Sequence, residues 1–226
     1  MPVLVVSNPK GGVGKSTLAT HVAAYWAMQG HATMLGDVDR QQSSRHWLGL
    51  RPETAAPVQT WVVDRDAVAK PPKGVSHVVL DTPAGLRGKR LEGVLKRAHR
   101  VLVPLQPGVF DRAATLEFLA ELAEHARGSG RLEVALVGMR VDERTRIAES
   151  LREFVARTGL RLVTLLRNTQ NYPLLAERGL SIFDLPQAQA QRDRQQWAPL
   201  CAWLDGAANP AGPVNKTTKA SQSTPN

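Results

Sequence analysis

Cysteine is almost missing from this 226-residue sequence: Cys201 is the only one. Without a second thiol the chain can build neither an internal disulfide nor a cysteine-held metal or iron–sulfur centre. Long apolar runs are missing too. None approaches the roughly 18 residues that a membrane-spanning helix needs. The first apolar segment follows Met1 directly, without the charged region and long apolar core of a secretion signal, so a cytosolic protein is expected. Aromatic residues make up only 5%, and no stacking pattern suited to RNA or single strands accompanies the basic residues.

Acidic charge is scarce as well: 20 Asp+Glu stand against 29 Lys+Arg, a formal net charge of +9. The largest share, +5, falls in residues 51–104, and residues 205–226 carry only +1. The excess therefore belongs to the body of the chain. A basic body reads either as a docking face for a polyanion or as a solvated surface kept soluble by charge. With 42% hydrophobic content, the chain can bury one substantial α/β core over residues 1–204. Residues 205–226, rich in Ala, Asn, Pro, Ser and Thr, read as a disordered tail.

The stretch that organises the rest is Lys10-Gly11-Gly12-Val13-Gly14-Lys15-Ser16-Thr17. It lies between a β-branched apolar run at residues 3–6 and an alanine-rich segment of helical spacing at residues 18–28. Strand, glycine loop and helix in that order make a phosphate cradle: glycines turn successive backbone N–H groups inward, and the helix adds its unpaired N–H groups and dipole. Lys15 is placed to reach the β- and γ-phosphates, and the Ser16 hydroxyl to ligate Mg²⁺. The general pattern asks for glycine five positions before the lysine, where this chain has Lys10.

That departure resembles the deviant Walker A loop of the ParA/MinD family of P-loop ATPases. The resemblance implies an α/β, three-layer P-loop NTPase fold with a mostly parallel central sheet flanked by helices on both faces. It also implies ATP and Mg²⁺ as ligands, and an ATP-dependent homodimer in which Lys10 crosses to the other subunit's nucleotide.

Further along, residues 37–43 read Asp-Val-Asp-Arg-Gln-Gln-Ser at the end of a second apolar segment. In an open parallel sheet, acidic residues at a strand's carboxyl end lie where ligands bind. They resemble the family's switch I, which implies that Asp39 positions the attacking water and helps hold the metal. Asp37 is either a strand-end cap or part of that site. Arg40 stands where the family usually has proline. Residues 75–80 run mainly apolar into Asp81-Thr82-Pro83-Ala84-Gly85, the expected Walker B carboxylate and switch II turn, with Asp81 holding Mg²⁺ through water.

After it, Arg87, Lys89, Arg90, Lys96, Arg97 and Arg100 concentrate positive charge on an expected helix, as a polyanion face or a site for an acidic partner. Residues 100–107 continue the resemblance, and Asp111 reads as an N-cap ahead of a core face of Leu116, Leu119 and Leu122. Ile147, Leu151, Phe154 and Val155 mark another helix. Residues 179–186 match the family's GxSIFD-like segment, and residues 187–204 form the last helix, anchored by Trp197 and Trp203.

By the same resemblance, Met139 and Arg140 correspond to the adenine pocket. Arg144, Arg146, Arg167 and Arg178 fall where family members bind DNA without regard to sequence, although each reads equally well as an exposed cation. The implied protein is a cytoplasmic, nucleoid-associated ATPase that positions DNA or other cargo. It holds nonspecific double-stranded DNA as an ATP dimer and is released when a ParB-like or other adaptor stimulates hydrolysis. The other reading is a DNA-independent, ATP-switched protein that recruits a protein partner, used like MinD but without its membrane helix.

Overall fold

A computed structural model of the chain describes residues 2–61, 73–129 and 132–206. The expected tail from residue 207 onward, and the connection at residues 62–72, lie outside the described residues. Seven strands form one sheet: β1 (Val3–Val6), β2 (Thr33–Asp37), β3 (Val58–Trp61), β4 (His77–Asp81), β5 (Arg100–Leu105), β6 (Glu133–Met139) and β7 (Arg161–Leu166). Their order is β3-β2-β4-β1-β5-β6-β7, and every pairing is parallel. Helices α1 (Lys15–Met28), α2 (Ser43–Leu50), α3 (Gly88–Leu95), α4 (Val109–Ser129), α5 (Arg146–Thr158), α6 (Asn171–Ala176) and α7 (Gln187–Leu204) supply the crossovers and the covers.

Parallel strands covered on both faces read as continuous apolar runs, which is why VLVV and HVVLD show no alternation. Two clusters fill the faces. One joins Leu4, Leu18, Trp26, Trp47 and Trp197; the other joins Val5, Leu91, Phe118, Leu122 and Leu151. This is the three-layer arrangement expected from the sequence.

Pro104 sits inside a central strand without cost, for a visible reason. The side of β5 that bears the Leu102 carbonyl faces β1 and accepts from Ser7 N–H at 3.1 Å. Two residues on, β1 has ended at Val6, so the N–H that Pro104 lacks has no strand to meet. Asn8 Nδ2 instead donates to the Pro104 carbonyl at 2.7 Å.

Several sequence expectations are corrected. Helix α4 begins at Val109, so Asp111 lies inside the helix rather than capping it. Leu116 is 48% exposed although Leu119 and Leu122 are buried. Each step of three residues turns about 60° short of a full revolution, and the core face runs through Thr115 and Phe118 instead. Ile147 is likewise 56% exposed on α5. Asp205, assigned to the tail, is tied to the body by Tyr25, whose hydroxyl donates to its Oδ2 at 2.6 Å.

Residues 179–184 prove to be a latch for α2. Arg51, just past that helix, forms a two-pronged pair with Asp184 at 2.8 and 3.1 Å, both side chains only 5% exposed. Asp184 also accepts from the Ser181 N–H and hydroxyl at 2.8 and 2.6 Å, and Trp47 Nε1 donates to the Leu180 carbonyl at 3.1 Å. Gly179 is required here: its φ is +64°, and a Cβ would come within 2.3 Å of the Arg51 backbone nitrogen. Asp184→Ala would leave Arg51 buried without its counter-ion and should cost about 3–5 kcal/mol in urea unfolding.

A second prediction concerns His21, fully buried between Trp197, stacked at 5.2 Å, and Tyr172, edge-on at 5.1 Å. Burial pushes its pKa down to about 4. The unfolded chain therefore takes up this proton first, so the His21 contribution is intact above the ordinary histidine pKa and lost as pH falls towards 4. Urea unfolding should show a loss of roughly 3 kcal/mol across that window, flattened in His21→Leu.

Candidate functional site

The turns leaving β1, β2 and β4 meet at one edge of the sheet, around a cavity of about 670 Å³. Its floor is the glycine loop. Gly14 ends the loop at φ +97°, a left-handed conformation that favours glycine, and Met139 Cε packs where a Cβ would lie, 2.7 Å from it. Two residues that the sequence reading did not single out brace the loop. Asn8 Oδ1 accepts from the Lys10 N–H at 2.8 Å, and Gln106 Nε2 donates to the Gly12 carbonyl at 3.1 Å.

Lys15 is folded into the loop, its ammonium donating to the Lys10 carbonyl at 2.6 Å. Burial lowers its pKa, opposed by the negative charges of Asp81 and Asp39. Asp81, at the end of β4, is completely buried, and desolvation raises its carboxyl to about pKa 7 despite the Ser44 and Ser16 hydroxyls that favour the charged form. Ser44 Oγ donates to its Oδ2 at 2.6 Å. Its Oδ1 has no hydrogen-bond partner.

A buried carboxylate oxygen left unpaired beside a serine hydroxyl fits a hard divalent cation. Ser16 and Asp81 would hold Mg²⁺ here, and the ion would offset phosphate charge. Among the described residues no group of three His, Cys, Asp or Glu could hold a metal unaided, consistent with an ion completed by phosphate oxygens and water.

Asp39 is half-buried on the cavity wall, and its Oδ1 accepts from the Gln41 N–H at 3.1 Å. Asp37 is the structural member of the pair. Its oxygens accept from the N–H groups of Asp39 at 2.9 Å, Ser44 at 2.9 Å and Arg45 at 3.2 Å, fixing the turn and capping α2, while burial raises its pKa. The turn after β4 is pinned to the loop by the Gly85 N–H, which donates to the Pro9 carbonyl at 2.8 Å.

Gly11, Gly12, Gly14, Lys15, Ser16 and Thr17 line the cavity together with Asp39. Val13 is buried beneath it. Met139 is also buried, a support under Gly14 rather than part of the wall, whereas Arg140 is exposed at φ +56° between this cavity and a neighbouring one of about 700 Å³. Of the four arginines read as DNA contacts, Arg144, Arg146 and Arg178 are exposed. Arg167 is engaged within the chain, its Nε donating to buried Asp193 at 2.7 Å.

Residues 4–182 match the CobQ/CobB/MinD/ParA nucleotide binding domain. The chain belongs to that family, whose ParA/MinD members are ATPases. Maintenance of carboxysome distribution protein A from Halothiobacillus neapolitanus is 28% identical over 191 residues, covering 80% of this chain and 87% of the relative. The chromosome-partitioning ATPase Soj of Thermus thermophilus is 28% identical over 183 residues, 66% of this chain and 73% of that protein. The fold recurs in an ATP complex of McdA from Cyanothece, with a TM-score of 0.64 at 13% identity over 94% of this chain and 99% of that one. Among the described residues, no helix of this family member is long and apolar enough to cross a membrane.

Asp81 must ionise before it can serve a cation, which makes metal use pH-dependent. Between pH 8 and 6 the gain in nucleotide affinity on adding Mg²⁺ should shrink by about tenfold, as a group titrating near 7 requires. Asp81→Asn should show little Mg²⁺-dependent gain and no such pH dependence in the same nucleotide titration.

Proposed function

We propose that this chain is an ATP-driven positioning ATPase that dimerises on ATP, holds nonspecific duplex DNA as a dimer, and lets go on hydrolysis. The observation that carries the reading is the lysine pair of the loop: Lys15 turned inward over the Lys10 carbonyl, beside Asp39 and above an unpaired Asp81 oxygen. One lysine serves its own nucleotide. Lys10, at the head of the loop, is assigned to the partner subunit's nucleotide.

Asp39 holds the attacking water. That water adds to the γ-phosphorus as the bond to the β–γ bridging oxygen breaks, ADP leaves with the electron pair, and the water's proton ends on inorganic phosphate. Relatives named for chromosome partition and carboxysome distribution support cargo positioning. The net charge of +9 and exposed Arg144, Arg146 and Arg178 support DNA as the track, with an adaptor protein as the stimulus for release.

The test is binding to random-sequence duplex DNA with ATP, ADP or no nucleotide over a salt series, using Asp39→Ala to hold the ATP state. Binding confined to the ATP state and falling steeply with salt is the expected result. An ATP-dependent dimer with no DNA binding in any state would favour the protein-recruiting switch. Lys15→Ala should abolish nucleotide binding, while Lys10→Ala should bind nucleotide as a monomer and fail to dimerise by light scattering.

A further inference from the structure

The phosphate cavity holds more positive charge than the loop alone explains. Lys15, Arg40, Arg87, Arg90 and Arg140 line it, and Asp39 is the only carboxylate on its wall. Two of these arginines are otherwise committed: Arg87 pairs with Glu117 at 3.3 Å, and Arg140 also borders the neighbouring cavity. The Arg40 and Arg90 side chains are exposed and make no hydrogen bond or ion pair among the described residues.

They come from different elements that the sheet brings together. Asp37 of β2 and Asp81 of β4 are register partners, so the turns that follow them leave the same edge side by side. One carries Arg40 directly after Asp39, and the other leads into α3 with Arg90. Neither position belongs to the loop that grips the α- and β-phosphates.

We infer that Arg40 and Arg90 form a guanidinium clamp on the terminal phosphate of a nucleoside triphosphate bound in the same chain. A single subunit then distinguishes ATP from ADP before any partner arrives. Guanidinium groups suit this task because their fixed fork of donors matches phosphoryl oxygens. The clamp rests on the nucleotide reading of the cavity and adds to it.

The experiment titrates the full chain, kept monomeric by dilution, with a fluorescent non-hydrolysable ATP analogue and with fluorescent ADP. The intact protein should prefer the triphosphate. Arg40→Ala and Arg90→Ala should each weaken triphosphate binding by roughly tenfold, the worth of one charge-assisted hydrogen bond, with ADP binding unchanged as the control for folding. The double variant should bring the preference close to one, and Arg40→Lys should recover part of it. An unchanged preference in the double variant overturns the clamp, whether or not DNA or acidic-peptide binding falls. If the intact chain binds neither nucleotide, the nucleotide reading falls with it; if it binds both and only the preference resists mutation, the clamp alone is wrong.

Discussion

The central constraint in this molecule is a buried ammonium and a buried carboxylate held close together without fully neutralising each other. Lys15 spends its shown hydrogen bond on a backbone carbonyl, and Asp81 keeps one oxygen unpaired. Burying charge in this way is costly unless the fold over-determines it. Here it does. The loop is fastened to β5 through Asn8, to residue 106 through the Gly12 carbonyl and to the β4 turn through Gly85. A triphosphate with its metal would supply counter-charges to both groups, which would concentrate binding energy on them.

The same carboxylate links the cradle to the rest of the protein. Ser44 holds the second oxygen of Asp81 from the first turn of α2, and α2 is fastened at its other end by the Arg51–Asp184 pair and the Trp47 bond to Leu180. A change in the charge around Asp81 therefore acts directly on the Ser44 bond and on the seating of α2. Arg51 stacks over Trp47 at 4.9 Å, so its charge is held by packing as well as by its counter-ion. This gives the segment at residues 179–184 a physical role: it is the fixed point against which α2 bears.

What could be read from the sequence divides along physical lines. The strands β1, β2, β4 and β5, the glycine loop and the last helix depend on local apolar patterning and on backbone chemistry that only glycine permits, so they were legible. Helix faces were read less well. Leu116 and Ile147 fit the helical spacing but lie on the solvent side, because which flank of an apolar stripe is buried depends on the layers packed against it. Helix α2 was missed because its polar start, Ser43-Ser44-Arg45-His46, has little apolar periodicity. It stands on a cap from Asp37 and on long-range bonds to residues 179–184. Gln106 and the bond from Asn8 to the Pro104 carbonyl escaped notice for a similar reason: the partners lie 94 and 96 residues away.

Charge was legible in amount and not in arrangement. The +9 of the sequence is not one surface property. Arg51 and Arg167 are held in intramolecular pairs, Arg194 donates to the carbonyls of Ile182, Phe183 and Leu185, and Arg40 and Arg90 border the cavity over the glycine loop. Cations of the first kind stabilise the fold, and those of the second kind wait for a small, dense anion. Exposed cations outside both groups, such as Arg144, Arg146 and Arg178, contribute to a long-range field that salt would screen. Composition alone thus overstates the charge free to meet a polyanion, and salt dependence should reflect the number of cations that meet phosphate.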